Sequence, residues 1–190
     1  MSHPQPQTIT GGCLCEAIRY TITSEAGEWP PPKNAICLCT MCRKHSGALI
    51  PVAATIPTKN VSPPLQRNPA FKLYRSSTVA QRGFCIHCGS SICFLYDDSA
   101  DTEMWLGTLD EEVFCGGKVP GTEVTTKHGT WCERKGGVSK EIRRRAGGIF
   151  MENGIDGVTD WIAGPKYWNH WGGGKEPFTG TVDEMKKRMA

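Results

Sequence analysis

Seven of the chain's ten cysteines stand at metal-ligand spacing, and no other feature limits the fold as much. Cys37, Cys39 and Cys42 form a C-x-C-x2-C cluster within six residues. Cys13 and Cys15 form a C-x-C, and Cys85 and Cys88 a C-x2-C followed by Gly89. Zinc needs ligand atoms a few Å apart in a tetrahedron, and cysteines one to four residues apart on a tight turn supply them. A structural site closes with four protein ligands, whereas a catalytic site keeps one position open. Seven sulfurs divide as four and three. The simplest partition makes Cys13, Cys15, Cys85 and Cys88 a closed structural zinc site that ties together sequence-distant strands. Cys37, Cys39 and Cys42 are then the ligands of a second, open zinc.

Composition fits that picture. A length of 190 residues suits one domain, and 38% hydrophobic residues allow a core of modest size. The 22 glycines and 13 prolines favour short strands and turns over long helices. Metal sites would supply part of the stability that a thin core lacks. The net charge of +3, from 22 basic and 19 acidic residues, is too small and too mixed to point to nucleic acid or a membrane surface. The basic run Lys140–Arg145 is short and reads as a solvated helix or turn. Met1–Thr10 is polar and has no signal-peptide core, and no run reaches transmembrane length. Ten cysteines without a secretion signal argue for metal or catalysis over disulfides, hence a reducing, cytoplasmic setting.

Taken in order, residues 1–10 read as a disordered lead-in. Ile18, Tyr20 and Ile22 alternate with Arg19, Thr21 and Thr23 as a half-buried strand does, which puts the first C-x-C at a strand's mouth. Glu25–Lys33 holds three consecutive prolines and is a loop. Ile36 and Leu38 alternate with Cys37 and Cys39, so both sulfurs lie on one side of an extended segment, and Cys42 can return to the same point after a turn. Arg43–Ser46 reads as a short helical turn ended by Gly47. Ala48–Ile56 is an apolar run in which Pro51 implies an edge strand or a break. Strands are expected around Phe71, Leu73 and Val79, then at Ile92–Tyr96 and Glu103–Leu109, with a knuckle at Gln81–Ser91 whose Gly89 permits positive φ. A further strand is expected within Val124–Trp131, a basic helix within Gly136–Gly148 and a terminal helix at Asp183–Met189.

Other residues carry both a functional and a plain reading. His45 could close the triplet or move protons, or be a solvated group beside basic neighbours. His128 could face the open metal or sit on the surface. Arg43 and Lys44 could pair with the carboxylates of an acidic thiol, or form a solvated face. His87 lies where knuckle residues point outward. Cys93 reads as a core thiol, and Cys115 and Cys132 could be spare ligands or buried, inert thiols. Trp161, Tyr167, Trp168 and Trp171 could line a pocket or staple a tail onto the core.

The order G-G-C-L-C, C-L-C-T-M-C-R-K-H-S-G, F-C-I-H-C-G-S-S and W-L-G-T-L-D resembles the glutathione-dependent formaldehyde-activating enzyme family, which also contains centromere protein V. The resemblance covers about residues 10–131. It implies a mainly β fold of bent antiparallel sheets, a β-tent, with structural zinc on Cys13, Cys15, Cys85 and Cys88. Its second zinc, on Cys37, Cys39 and Cys42, would be where glutathione joins formaldehyde. Residues 11–135 would be the zinc-binding β domain and residues 136–190 a Gly- and Trp-rich C-terminal extension packed on or near it. The implied activity is that of a zinc-dependent carbon–sulfur lyase with two Zn²⁺ per chain, acting on a small molecule such as a thiol adduct, with glutathione as candidate co-substrate. A homo-oligomer is compatible with this, and neither nucleic acid nor membrane is implied. Two other functions fit the same ligands: hydration, cyclisation or rearrangement of a metabolite by zinc-bound water, and a non-catalytic zinc scaffold for a protein partner.

Overall fold

A computed structural model describes residues 7–24, 34–138, 146–169 and 177–189. Strand β1 (Gln7–Gly12) pairs antiparallel with β2 (Arg19–Ser24), from Gln7 opposite Ser24 to Gly12 opposite Arg19. The lead-in expected over residues 1–10 therefore gives way to strand from Gln7, and Ile9 is fully buried. The short polar alternation of Gln7–Thr10 hid that strand. Its one apolar side chain is fixed by the partner strand, where Ile9 faces Ile22.

The larger sheet is built from β3 (Asn34–Cys37), β4 (Val52–Pro57), β6 (Phe71–Arg75), β7 (Ala80–Cys85), β8 (Ser91–Tyr96), β9 (Asp101–Trp105) and β14 (Ala146–Ile149). Their order is β14-β3-β4-β9-β8-β7-β6. Neighbours are antiparallel except for β14, which lies parallel to β3. The short β5 (Val61–Ser62) adds to β2, making a three-stranded sheet. The fold is thus mainly β, from two larger sheets and two small hairpin-like pairs. Those pairs are β10 (Gly117–Lys118) with β13 (Arg134–Lys135), and β11 (Val124–Thr126) with β12 (Gly129–Trp131).

Period-2 alternation gives the seven-stranded sheet two different faces. Ala54, Ile56, Cys93 and Met104 join Ile9, Ile18, Tyr20, Ile22 and Phe71 in the main core. Their neighbours Ala53, Phe94 and Trp105 join Ala35, Cys37 and Cys42 in a second cluster. Each fully buried aliphatic or aromatic side chain contributes roughly 1.5–3 kcal/mol. A one-residue register slip would exchange the faces, so register is strongly specified here.

The C-terminal segment is built into this sheet. β14 covers the free edge of β3, and the Leu38 N–H donates to the Ile149 carbonyl at 3.1 Å. Met151, Ile162, and Val182 and Met185 of α3 (Val182–Met189) pack with Ile36 and Leu38. Ile149, Phe150 and Tyr167 pack on the opposite side, against Cys37 and Cys42.

Several local expectations shift. The strand expected over Glu103–Leu109 ends at Trp105 and turns into a 3-10 segment, Leu106–Thr108. Of the two outcomes expected at Pro51 the break is the one seen, since β4 starts one residue after it and lies inside the sheet. The helix expected within Gly136–Gly148 is strand from Ala146 onward, and residues 139–145 lie outside the described residues. So do the Glu25–Lys33 loop and Trp171. Among the described residues, no helix is long and apolar enough to cross a membrane.

Candidate metal centres

Two tight reversals build the four-cysteine group. After β1 the chain turns through Cys13–Ile18, with Cys13 N–H donating to the Ile18 carbonyl and Glu16 in the left-handed region. After β7 it turns through Cys85–Gly89, where Gly89 takes φ 75° and its N–H donates to the Cys85 carbonyl. A side chain at that φ is strained, so the glycine is a geometric requirement. The reversals bring the four sulfurs within 4.8 Å of one another. Cys13 and Cys15 stand 3.6 Å apart, and Cys15 and Cys85 3.8 Å. A tetrahedron of sulfurs about 2.3 Å from zinc has edges of about 3.8 Å, so the donor set fits that ion. The Ile18 N–H donates to Cys13 Sγ at 3.2 Å, and Ser90 Oγ lies 3.2 Å from Cys88 Sγ. The Ser90 hydroxyl, then its backbone N–H, bring the Cys88 thiol down to about 5. Thiolate, the ligating form, is favoured there.

The triplet sits on the other face of the large sheet. Cys37 ends β3, Cys39 caps α1 (Thr40–Ser46), and Cys42 lies in its first turn. The Cys42 N–H donates to Cys39 Sγ at 3.3 Å, and Gly47 closes the helix with φ 68°. The three sulfurs lie within 4.8 Å of one another, with Cys37 and Cys39 3.5 Å apart. The Cys37 thiol, then the Cys42 thiol, then the Cys42 N–H and the charge of Arg82 pull Cys39 far below the ordinary thiol range. Donation to Cys39 raises Cys37 correspondingly. Among the described residues no fourth His, Cys, Asp or Glu joins the group. The geometry can therefore hold a metal through three sulfurs.

Arg82, which sequence reasoning missed, is a charged residue in direct contact with the triplet. It lies on β7, is 4% exposed, and places Nη1 and Nη2 at 3.6 and 3.7 Å from Cys42 Sγ. Its guanidinium lies 5.3 Å from the centre of the Phe94 ring, the residue opposite it on β8. The available signal was alternation: counting back from Cys85, Arg82 falls on the opposite sheet face. A buried arginine next to a thiolate makes charge-assisted hydrogen bonds, and removing it leaves that charge uncompensated.

The remaining candidates separate. His45 is half-buried near the triplet, with Nδ1 3.2 Å from the indole nitrogen of Trp105. Burial, then the charge of Arg82, lower it to about 4. The Arg43 guanidinium donates to the Asn153 carbonyl at 3.3 Å, and Lys44 is exposed. His128 is exposed in the β11–β12 turn, outside both cysteine groups, and His87 is exposed on its knuckle. Cys93 is a fully buried core thiol, raised to about 12 by burial. Cys115, expected to be buried or inert, is exposed at the end of α2 (Glu111–Cys115). It shares a concavity of about 610 Å³ with half-buried Cys132. A second concavity, of about 520 Å³, is lined by Ser46, Ile50, Ser91, Trp105 and Phe114 among others.

A β protein with two cysteine clusters able to hold a metal ion, one of four sulfurs and one of three, is the class these observations define. Residues 8–138 match the glutathione-dependent formaldehyde-activating enzyme family, and the chain belongs to it. A fission yeast protein, Schizosaccharomyces pombe, named as an uncharacterized lyase is 34% identical over 86 residues. That match spans 45% of this chain and 56% of the relative, so the chain covers little more than half of that protein's length. A crystal structure of a Rhodobacter sphaeroides protein aligns with 54% of this chain and 89% of its own, at 22% identity and a TM-score of 0.42.

Proposed function

We propose that the chain is a zinc-dependent lyase of carbon–sulfur type, adding a thiol to an activated carbonyl carbon or releasing it. The observation that carries this reading is the triplet, three converging sulfurs with no fourth protein ligand among the described residues. The family's name and the lyase name of the yeast relative support the same chemistry. Cys37, Cys39 and Cys42 hold the metal, and Cys13, Cys15, Cys85 and Cys88 hold a second, structural one. When bound, zinc supplies Lewis acidity and delivers a substrate thiol as thiolate.

The chain's own residues set the surroundings. Three thiolates and a divalent cation leave one net negative charge, and Arg82 balances it while fixing Cys42. In the forward direction the carbon–sulfur bond forms, the carbonyl π bond opens, and the proton leaves sulfur for the carbonyl oxygen. The reverse breaks the carbon–sulfur bond and returns the proton. Lys44, exposed on α1, suits the carboxylates of an acidic thiol such as glutathione, whereas Arg43 is engaged by Asn153.

The C-terminal extension, from about residue 136, forms a wall at the triplet through Ile149, Phe150 and Tyr167. That wall favours a second reading, in which a carbonyl metabolite larger than formaldehyde is the substrate and thiol dependence is absent. Exchange NMR with labelled formaldehyde and glutathione tests the first. The zinc-loaded protein is expected to speed exchange between free and adduct carbon, and Cys39→Ser to abolish the effect. Acceleration that persists without any thiol would replace the lyase reading with the second.

A further inference from the structure

We propose that His45 and Arg82 form an oxyanion subsite beside the triplet, with His45 donating a hydrogen bond through Nε2–H and Trp105 fixing that tautomer. The inference rests on the triplet being a metal site, and it deepens the lyase reading by naming the atom recognised, an oxygen that carries or gains negative charge.

The indole Nε1–H of Trp105 is a donor only. It lies 3.2 Å from His45 Nδ1, so that nitrogen must be the acceptor and carry no proton. A neutral imidazole then has its proton on Nε2. His45 Nε2 is buried and has no hydrogen-bond partner among the described residues. The protein thus pre-sets a buried donor and spends it on nothing, although an unsatisfied buried polar group is costly. The same tautomer excludes His45 as an ordinary neutral metal ligand, since ligation by Nε2 would require both ring nitrogens to be unprotonated.

Three observations place the His45 ring on the triplet's side of the sheet. His45 lies on α1, three residues after Cys42, so both side chains share one side of the helix. Trp105, its partner, packs in the same apolar cluster as Cys37 and Cys42. Arg82, which touches Cys42 Sγ, also acts electrostatically on His45. Arg82 adds a second unspent donor, because its buried Nε has no partner among the described residues while Nη1 and Nη2 face the sulfur.

Two buried donors and a fixed positive charge suit a developing alkoxide or a carboxylate, and such pre-set donors stabilise charge without reorganisation. In the proposed addition that oxygen is the former carbonyl oxygen. His45 is the catalytic residue here, and Trp105 is the positioning residue.

The test uses the full metal-loaded chain with formate as probe, since formate presents an oxygen anion and needs no thiol. Long-range proton–nitrogen NMR is expected to show His45 as the Nε2–H tautomer. Saturating formate should move the Nε2–H signal downfield, with binding read independently from the d–d bands of the cobalt-substituted protein. His45→Leu should weaken formate about tenfold or more, and His45→Gln, which keeps an N–H donor, should stay within about threefold of wild type. Trp105→Phe should convert His45 to a tautomer mixture. An Nδ1–H tautomer, a metal-bound His45, no formate binding, or a Nε2–H signal that formate leaves unmoved overturns the proposal. These outcomes do not depend on turnover. A protein that binds formate as expected yet fails to accelerate thiol–carbonyl exchange would sink the lyase reading alone.

Discussion

The two cysteine groups use the same atoms and are surrounded oppositely. The quartet is closed by four sulfurs drawn from two hairpin reversals, and its polar neighbours are the Ile18 N–H and Ser90. The triplet comes from one strand–helix junction, has no fourth sulfur among the described residues, and has buried Arg82 against it. Apolar residues of the C-terminal segment cover its flank. A closed donor set needs nothing but solvated turns around it. As an open metal site the triplet would have to manage charge and exclude water, and Arg82 and the apolar flank would serve both needs.

Breaking the quartet should have the largest effect. It ties the β1–β2 turn to the β7–β8 turn, and apparent zinc binding of about 10–16 kcal/mol rivals the ~5–15 kcal/mol stability of a typical domain. Cys85→Ser is expected to lose the cooperative thermal transition, seen by circular dichroism. Cys39→Ser should instead keep a wild-type-like spectrum and one metal per chain while thiol–carbonyl exchange falls by about 10²-fold or more. If the two variants unfold alike, the contrast between the sites is lost. Arg82→Met sharpens the comparison, since it should weaken metal at the triplet by roughly 10–100-fold and leave the quartet unchanged in competition with a chromophoric chelator.

Much of this contrast was legible in the sequence because cysteine spacing is a local property. The cysteine pairs and the triplet, the knuckle glycine and the Gly47 helix stop all follow from residues within a few positions of one another, and only the joining of the two pairs spans about 70 residues. The family resemblance drew on the same local motifs. What escaped notice was non-local. Arg82 looks like a surface arginine until register places it opposite Phe94 and over Cys42. The role of Trp105 depends on a partner 60 residues away. Strand β14 has a weak apolar signal, Ala-Gly-Gly-Ile, because pairing with β3 fixes it rather than its own side chains. Likewise, one isoleucine in a polar stretch could not announce β1.

Smaller effects test the flanks. Met151 is fully buried beneath β3, and Met151→Ala should cost about 2–4 kcal/mol in urea unfolding. That loss should leave the quartet metal in place. The weakest expected effect is at the Arg19–Asp110 ion pair near the quartet, which is partly exposed. Arg19→Ala should change stability by less than about 1 kcal/mol. Arg19, and after it Thr10, hold the Asp110 carboxyl below its ordinary value. Its contribution is therefore complete above the usual carboxylate range and disappears as pH falls through the lowered value, and denaturation midpoints in acid should follow that sign.

The most direct measurement is the metal content of the purified chain under staged chelation, with and without glutathione. The account expects two zinc ions per chain, one released by mild chelator and protected by glutathione, the other retained until the protein unfolds. Two ions resisting chelation equally, with glutathione making no difference, would contradict an open three-sulfur site.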